Sequence, residues 1–205
     1  IKVNITHSPS KAIRSIYSLC KINAKQVIHN HLSKEDRYNF AFKELQNVMG
    51  LKIPIKRIEA YDVSHISGDH AVASCIVFSG SGPSSQDYRL FNIPKELSGN
   101  DVGSLKHVME RRLKYYKDNE IKPDIILIDG GKTQLKFAAS VIKSSKYKDI
   151  KVISIVKGSE RVRATETILS EAGVIEFDKY SKAFLLLQEA RDESHRFAIL
   201  AQRKK

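Results

Sequence analysis

Apolar residues recur at helical spacing near the start of the chain, through Ile13, Ile16, Tyr17, Cys20, Ala24, Val27 and Ile28. Ser8-Pro9 ahead of them reads as an N-cap followed by Pro at the first helical position. A second stripe follows through Tyr38, Phe42, Leu45 and Met49, with Ser33 and Asp36 of "SKED" spaced as a capping box. The pattern predicts a helical arm over residues 1–52, broken or kinked near Ser33 and closed by "GLKIP".

From residue 55 the period shortens to that of strands. "IKRIEAYDVSH", "HAVASCIVFSG" and "SQDYRLFNI" are three strand-like runs, and the Gly/Ser-rich joints at 67–69 and 79–85 predict antiparallel pairing. "SGND" opens a helix with apolar positions Val102, Leu105, Val108, Met109, Leu113 and Tyr116. "PDIILIDGG" is nearly all apolar, as expected of a strand buried on both faces. A helix carrying Leu135, Ala138, Ala139 and Ile142 follows, then a buried strand "KVISIVKG". "TETIL" and "VIEF" form a small hairpin through Gly173, and "KAFLLLQEARDESHRFAILAQRKK" is a final helix. Meandering strands followed by strand–helix alternation predict an α/β fold, a mixed sheet of about five strands with helices on both faces. Residues 53–205 form that domain and 1–52 its arm.

Charge adds a partner class. The formal net charge is +12, and residues 1–57 hold 11 Lys/Arg against 3 Asp/Glu. A basic surface of this kind favours a polyanion, with nucleic acid the commonest; a merely solvated basic face is the alternative. No run reaches the roughly 18 apolar residues of a membrane span. Two cysteines do not make a disulfide framework, and a cytoplasmic setting fits them. The chain begins at Ile1 without a Met, which is expected of a piece of a longer protein.

Four polar residues sit awkwardly in this pattern. Asp62 interrupts a β-branched run; it could point to solvent or pair with Arg57 or Lys56. Asp129 ends a buried strand before Gly130-Gly131, where either a helix N-cap or a ligand site is expected. Asp101 follows Gly99-Asn100 at a helix start and reads as an N-cap. His195 lies within the last helix, where a lone histidine is more often a surface or core residue than a ligand.

Together they suggest more. If Asp62 lies on a central strand and Asp129 ends its neighbour, two carboxylates face each other. At about 5 Å, with an effective dielectric of 20, they repel by roughly 3 kcal/mol, which a cation or a shared proton must relieve. Carboxylates plus imidazole suit Mg²⁺ or Mn²⁺, and on a basic protein such a site suggests metal-assisted phosphodiester cleavage. "GGKT" imitates the tail of a P-loop, but its first glycine would fall on Ile126 inside a buried strand, so nucleoside-triphosphate binding is rejected.

"YDVSH", "ASCIVF", "DYRLFNI", "PDIILIDGGKTQL" and "LLQEARDESHRFAI…RKK" resemble the C-terminal endonuclease half of the UvrC family, the nuclease subunits of the bacterial UvrABC excision repair system. The resemblance runs from about residue 57 to 205 and reaches into the arm through "NAKQVIHNHL", although "THSPSKA" stands where the family usually shows an Arg-Gly-Glu stretch. It implies a ribonuclease H-like fold that makes the 5′ incision beside a lesion in damaged double-stranded DNA, acting with the other subunits of the excision nuclease. The family's catalytic Asp-Asp-His set falls on Asp62, Asp129 and His195, which would also hold the metal. A further functional acid falls on Asp101, with Asn100 departing from the family's usual Asp. Lys132, Lys157 and Arg196 lie beside these motifs and are candidate phosphate contacts; ordinary surface charge is the alternative. His65 falls on the opposite strand face from Asp62 and is expected to be structural or to support the site from behind. The chain would lack the family's 3′ incision and much of its DNA affinity. A rival from another class is a catalytically silent DNA-binding module with the same fold.

Overall fold

The β-branched run around Asp62 forms β1 (Arg57–Ser64), a central strand of the sheet. The computed structural model describes residues 14–64, 71–156 and 166–202. Ser8-Pro9, His65 and Lys157 lie outside the described residues. In chain order the elements are α1 (Arg14–Val48), β1, β2 (Val72–Ser79), β3 (Gly82–Pro83), β4 (Arg89–Asn92), α2 (Asp101–Asn119), β5 (Ile125–Asp129), α3 (Lys132–Ser144), β6 (Lys151–Val156), β7 (Thr167–Ser170), β8 (Gly173–Ile175) and α4 (Lys182–Gln202).

All eight strands join one sheet in the order β3-β2-β1-β5-β6-β7-β8, with β4 also paired to β2. β1, β5 and β6 run parallel, and the remaining pairings are antiparallel. This is the mixed α/β fold expected, with more strands than the expected five or so. The extra ones are short: β3 has two residues, and the hairpin β7–β8 extends the sheet through β6.

Alternation along β1 sorts the core. Ile58 and Ala60 face a layer built from α1 and α4, with Ile125 and Leu127 of β5 beside them. Tyr61 faces a second layer from α2 and α3, together with Ile126 and Ile128. Strands covered on both faces must be apolar throughout, which explains the unbroken run in β5.

α1 passes Ser33 without interruption, so the predicted break is absent. A capping signal contributes only about 1 kcal/mol, and Leu32, Lys34 and Glu35 around it are good helix formers that let the ladder continue. Its C-terminal half buries Tyr38, Ala41, Phe42 and Leu45 in the α4-side layer. There the Tyr38 hydroxyl donates to Glu189 Oε1 at 2.5 Å, and burial followed by that carboxylate raises its pKa to about 12.

Candidate active site

β1 and β5 are adjacent and parallel, and Asp62 is the register partner of Asp129. Asp62 continues the row Ile58, Ala60, and Asp129 continues the row Ile125, Leu127, so alternation puts both on the α4 side. Two acidic residues therefore end adjacent rows at the carboxyl edge of the parallel strands, where ligands bind in open α/β sheets. Asp62 is only 6% exposed, which excludes the solvent-facing reading. Nor does Arg57 pair with it, since its guanidinium contacts Glu59 and Asp87.

α4 lies over this edge and delivers His195. Its Nδ1 stands 2.9 Å from Asp62 Oδ2, while the imidazole keeps 52% of its surface open to solvent. Against an ionised carboxylate, which can only accept, Nδ1–H is the donor, and a neutral ring then carries its lone pair on Nε2. The helix is fastened beside this contact: Ser74, the β2 register partner of Asp62, donates from Oγ to the Ser194 carbonyl at 2.9 Å. One turn earlier Arg191 pairs with Glu166, which also accepts from Gln188 Nε2 at 2.8 Å. α4 is thus fastened at two points in the turns leading up to His195.

Asp101 arrives from the other face. The N-cap of α2 is Asn100, whose side chain accepts from Gly103 N–H at 2.9 Å, so Asp101 is the first helical residue and not the cap. Its Oδ2 accepts from Gln134 Nε2 at 3.2 Å. Asp129 is likewise not a cap, since α3 starts from Gly131. Lys132 is the exposed first residue of α3, directly after that turn. Arg196 makes a two-pronged contact with Glu193 at 2.6 and 2.7 Å. That pairing pulls the Glu193 carboxyl below its ordinary pKa despite partial burial.

A second buried carboxylate escaped the sequence reading. Glu59, three residues before Asp62 and on the opposite face, is 0% exposed. Arg112 of α2 grips it in a fork, Nε to Oε2 at 2.9 Å and Nη2 to Oε1 at 2.6 Å. The hydroxyls of Tyr61 and Tyr116 donate to Oε2 at 2.7 and 2.6 Å, and Arg57 Nε donates to Oε1 at 3.1 Å. Burial alone would push this carboxyl up. The hydrogen bonds and charge of Arg112, aided by the two tyrosines, instead hold it below its ordinary value. The same burial, with Glu59 alongside, drives the Cys75 thiol far up, so it is no nucleophile. A signal was available in "RIEAYD" and "ERRLKYY", but the two stretches lie 53 residues apart and only the fold joins them.

Among the described residues no group of three or more His, Cys, Asp or Glu side chains is gathered closely enough to chelate an ion unaided. Two carboxylates in register beside an imidazole still form a hard donor set. Mg²⁺ commonly takes one or two carboxylates and completes its shell with water and substrate phosphates. The residues present therefore fit such an ion.

The profile of the UvrC RNase H endonuclease domain matches residues 46–199. UvrABC system protein C of Nitrosococcus oceani is 40% identical over 185 residues, covering 89% of this chain and 31% of that protein. Its counterpart in Coxiella burnetii is 36% identical over 203 residues, covering 98% of this chain and 33% of that one. The chain thus spans about a third of the length of the curated relatives it matches. Among solved structures, human ENDOV aligns with a TM-score of 0.43 at 15% identity, covering 72% of this chain and 86% of that one. Endonuclease V of Streptomyces avermitilis aligns with 0.43 at 14% identity, covering 82% and 93%. No helix among the described residues is long and apolar enough to cross a membrane. The paired acids, the helix-borne histidine and a profile match over most of the chain lead to one assignment: this chain belongs to the UvrC RNase H endonuclease domain family.

Proposed function

We propose that the chain is a divalent-metal-dependent endodeoxyribonuclease domain. In its complete protein it makes the 5′ incision beside a lesion during nucleotide excision repair. The observation that carries this reading is the Asp62–Asp129 register with His195 Nδ1 at 2.9 Å from Asp62. Asp62 and Asp129 would supply carboxylate oxygens to Mg²⁺ or Mn²⁺, and His195 would complete or flank the site. A cation bound there would lower the pKa of an attacking water and neutralise charge on the leaving oxygen. Asp62 holds the imidazole in one tautomer and orientation, as carboxylates do for histidines at metal and acid–base sites. Asp101 helps position water or ion from the α2 side. Lys132 meets a phosphate of the bound strand, and Lys157 and Arg196 are assigned the same role; such contacts place the backbone without reading sequence. For Arg196 this requires the guanidinium to share or exchange Glu193.

The substrate is damaged double-stranded DNA, and the other subunits of the excision nuclease are engaged largely through regions beyond this chain. Residues 53–205 form the catalytic domain and 1–52 a basic arm, whose charge favours a DNA-directed role; the assigned setting is cytoplasmic. The test is nicking of supercoiled or lesion-bearing DNA with and without Mg²⁺ or Mn²⁺. Nicking is expected only with the ion, and is expected to vanish in Asp62→Ala and Asp129→Ala. Cleavage that survives both substitutions overturns the site. DNA binding with no nicking under any ion would identify a silent binding module instead.

A further inference from the structure

Gln134 occupies the third position of α3, and both ends of its amide are in use. Oε1 accepts from Gly131 N–H at 2.7 Å, the reciprocal half of a capping box, and that contact serves the helix alone. Nε2 donates to Asp101 Oδ2 at 3.2 Å, a contact that leaves α3 for the start of α2, 33 residues away in sequence. A third observation concerns Gly130. A Cβ on this residue would collide with Oε1 and Cδ of Gln134, so the amide lies packed on the backbone immediately after Asp129. One side chain thus bridges the first residue of α2 and the turn that carries Asp129.

We infer that Gln134 is a positioning residue, tying Asp101 to the Asp129 turn so that acidic groups approaching from opposite faces of the sheet move as one unit. The inference rests on the site proposed above, in which Asp101 takes part. A carboxamide suits the bridge. It must accept from Gly131 at one end and donate to a carboxylate at the other, whereas an ionised glutamate offers acceptors alone.

That asymmetry supplies the experiment. Gln134→Glu keeps an oxygen for the Gly131 N–H but sets a second carboxylate against Asp101. In the 205-residue chain, kcat for nicking supercoiled DNA with Mn²⁺ is expected to fall ~10- to 100-fold, the usual effect of removing a partner behind a metal site. KM for DNA should stay constant. Gly130→Ala, which displaces the end of the Gln134 side chain, should reproduce the loss. In the metal-free protein the thermal midpoint of Gln134→Glu should drop by ~2–4 °C. It should recover when Asp101→Asn is added, because the new amide donates to the new carboxylate and restores the pair with its polarity reversed. A residue that merely caps α3 predicts Gln134→Glu at wild-type values in both readouts, and that result overturns the inference. Nicking that persists in Asp62→Ala would remove the site itself, a separate failure seen in a separate variant.

Discussion

β1 carries two buried carboxylates three residues apart, and they are treated in opposite ways. Glu59 faces the α2 layer, where Arg112, Arg57 and two tyrosine hydroxyls surround it. Asp62 faces the α4 layer, where its register partner is another aspartate and its hydrogen-bond partner is a half-exposed histidine. The first environment neutralises a charge within the protein. The second sets two acidic residues side by side at the carboxyl edge of the strands, an arrangement that a cation or a shared proton would relieve. Burial does not separate a structural acid from a functional one; the sign and reach of the neighbours do.

The largest expected effect breaks the comparison on its structural side. Glu59→Gln leaves Arg112 buried without its counter-charge, and removing one partner of a buried pair costs about 3–5 kcal/mol. Denaturant unfolding should register that loss in full. A change below about 1 kcal/mol would mean that Arg112 finds water or another acceptor, and the network would then be incidental to the fold.

Asp62→Asn breaks the other side. Nicking should fall by more than ~10²-fold, since partners behind a metal site alone are worth that much, while the unfolding free energy stays level or rises as like-charge repulsion is relieved. Parallel measurements of activity and stability on the two variants test the distinction directly. If Glu59→Gln and Asp62→Asn lose both properties alike, the two acids are not different in kind.

Acid should weaken the contribution of Glu59. Its folded pKa lies below its unfolded value, so its contribution is complete above about pH 4.5 and is lost as the pH falls through the folded value. Glu193 and Asp149 shift in the same direction through Arg196 and Lys122, so the whole melting curve is a composite. The difference between wild type and Glu59→Gln isolates one group. It should be constant from pH 5 to 7 and shrink below that window. A difference that grows on acidification would reverse the sign assigned to the shift.

The same pair shows what was legible in the sequence. Asp62 and Asp129 stand out because each interrupts or ends an apolar run, and the β-branched composition of those runs gave the strands that bring them into register. Glu59 belongs to the same run and passed unremarked. Its reason for being there is Arg112, and "ERR" on an amphipathic helix looks like solvated charge until α2 is laid on the sheet. The positions of the caps were harder still. Asn100, not Asp101, caps α2, and Gly131 rather than Asp129 opens α3. Neighbouring polar residues at a helix start are nearly equivalent locally, and packing picks between them. Ser33 failed for a related reason, since a local stop signal cannot end a helix whose flanks favour continuation.

The smallest expected effect sharpens the comparison at the joint between sheet and helix. Ser74→Ala removes the hydrogen bond to the Ser194 carbonyl, one residue from His195. The Ser194 carbonyl lies within α4 and keeps its helical partner, so losing the second bond should cost about 1 kcal/mol at most, which in a chain of this size is a fall of up to ~2–4 °C in thermal midpoint. Two outcomes for nicking carry different meanings. If kcat falls several-fold more than the unfolded fraction accounts for, α4 must be fastened to β2 for the imidazole to meet Asp62. If nicking is unchanged, the 2.9 Å contact between His195 and Asp62 orients the ring by itself, and Asp62 is then organising its own surroundings, as Glu59 does on the opposite face with cations that it never releases.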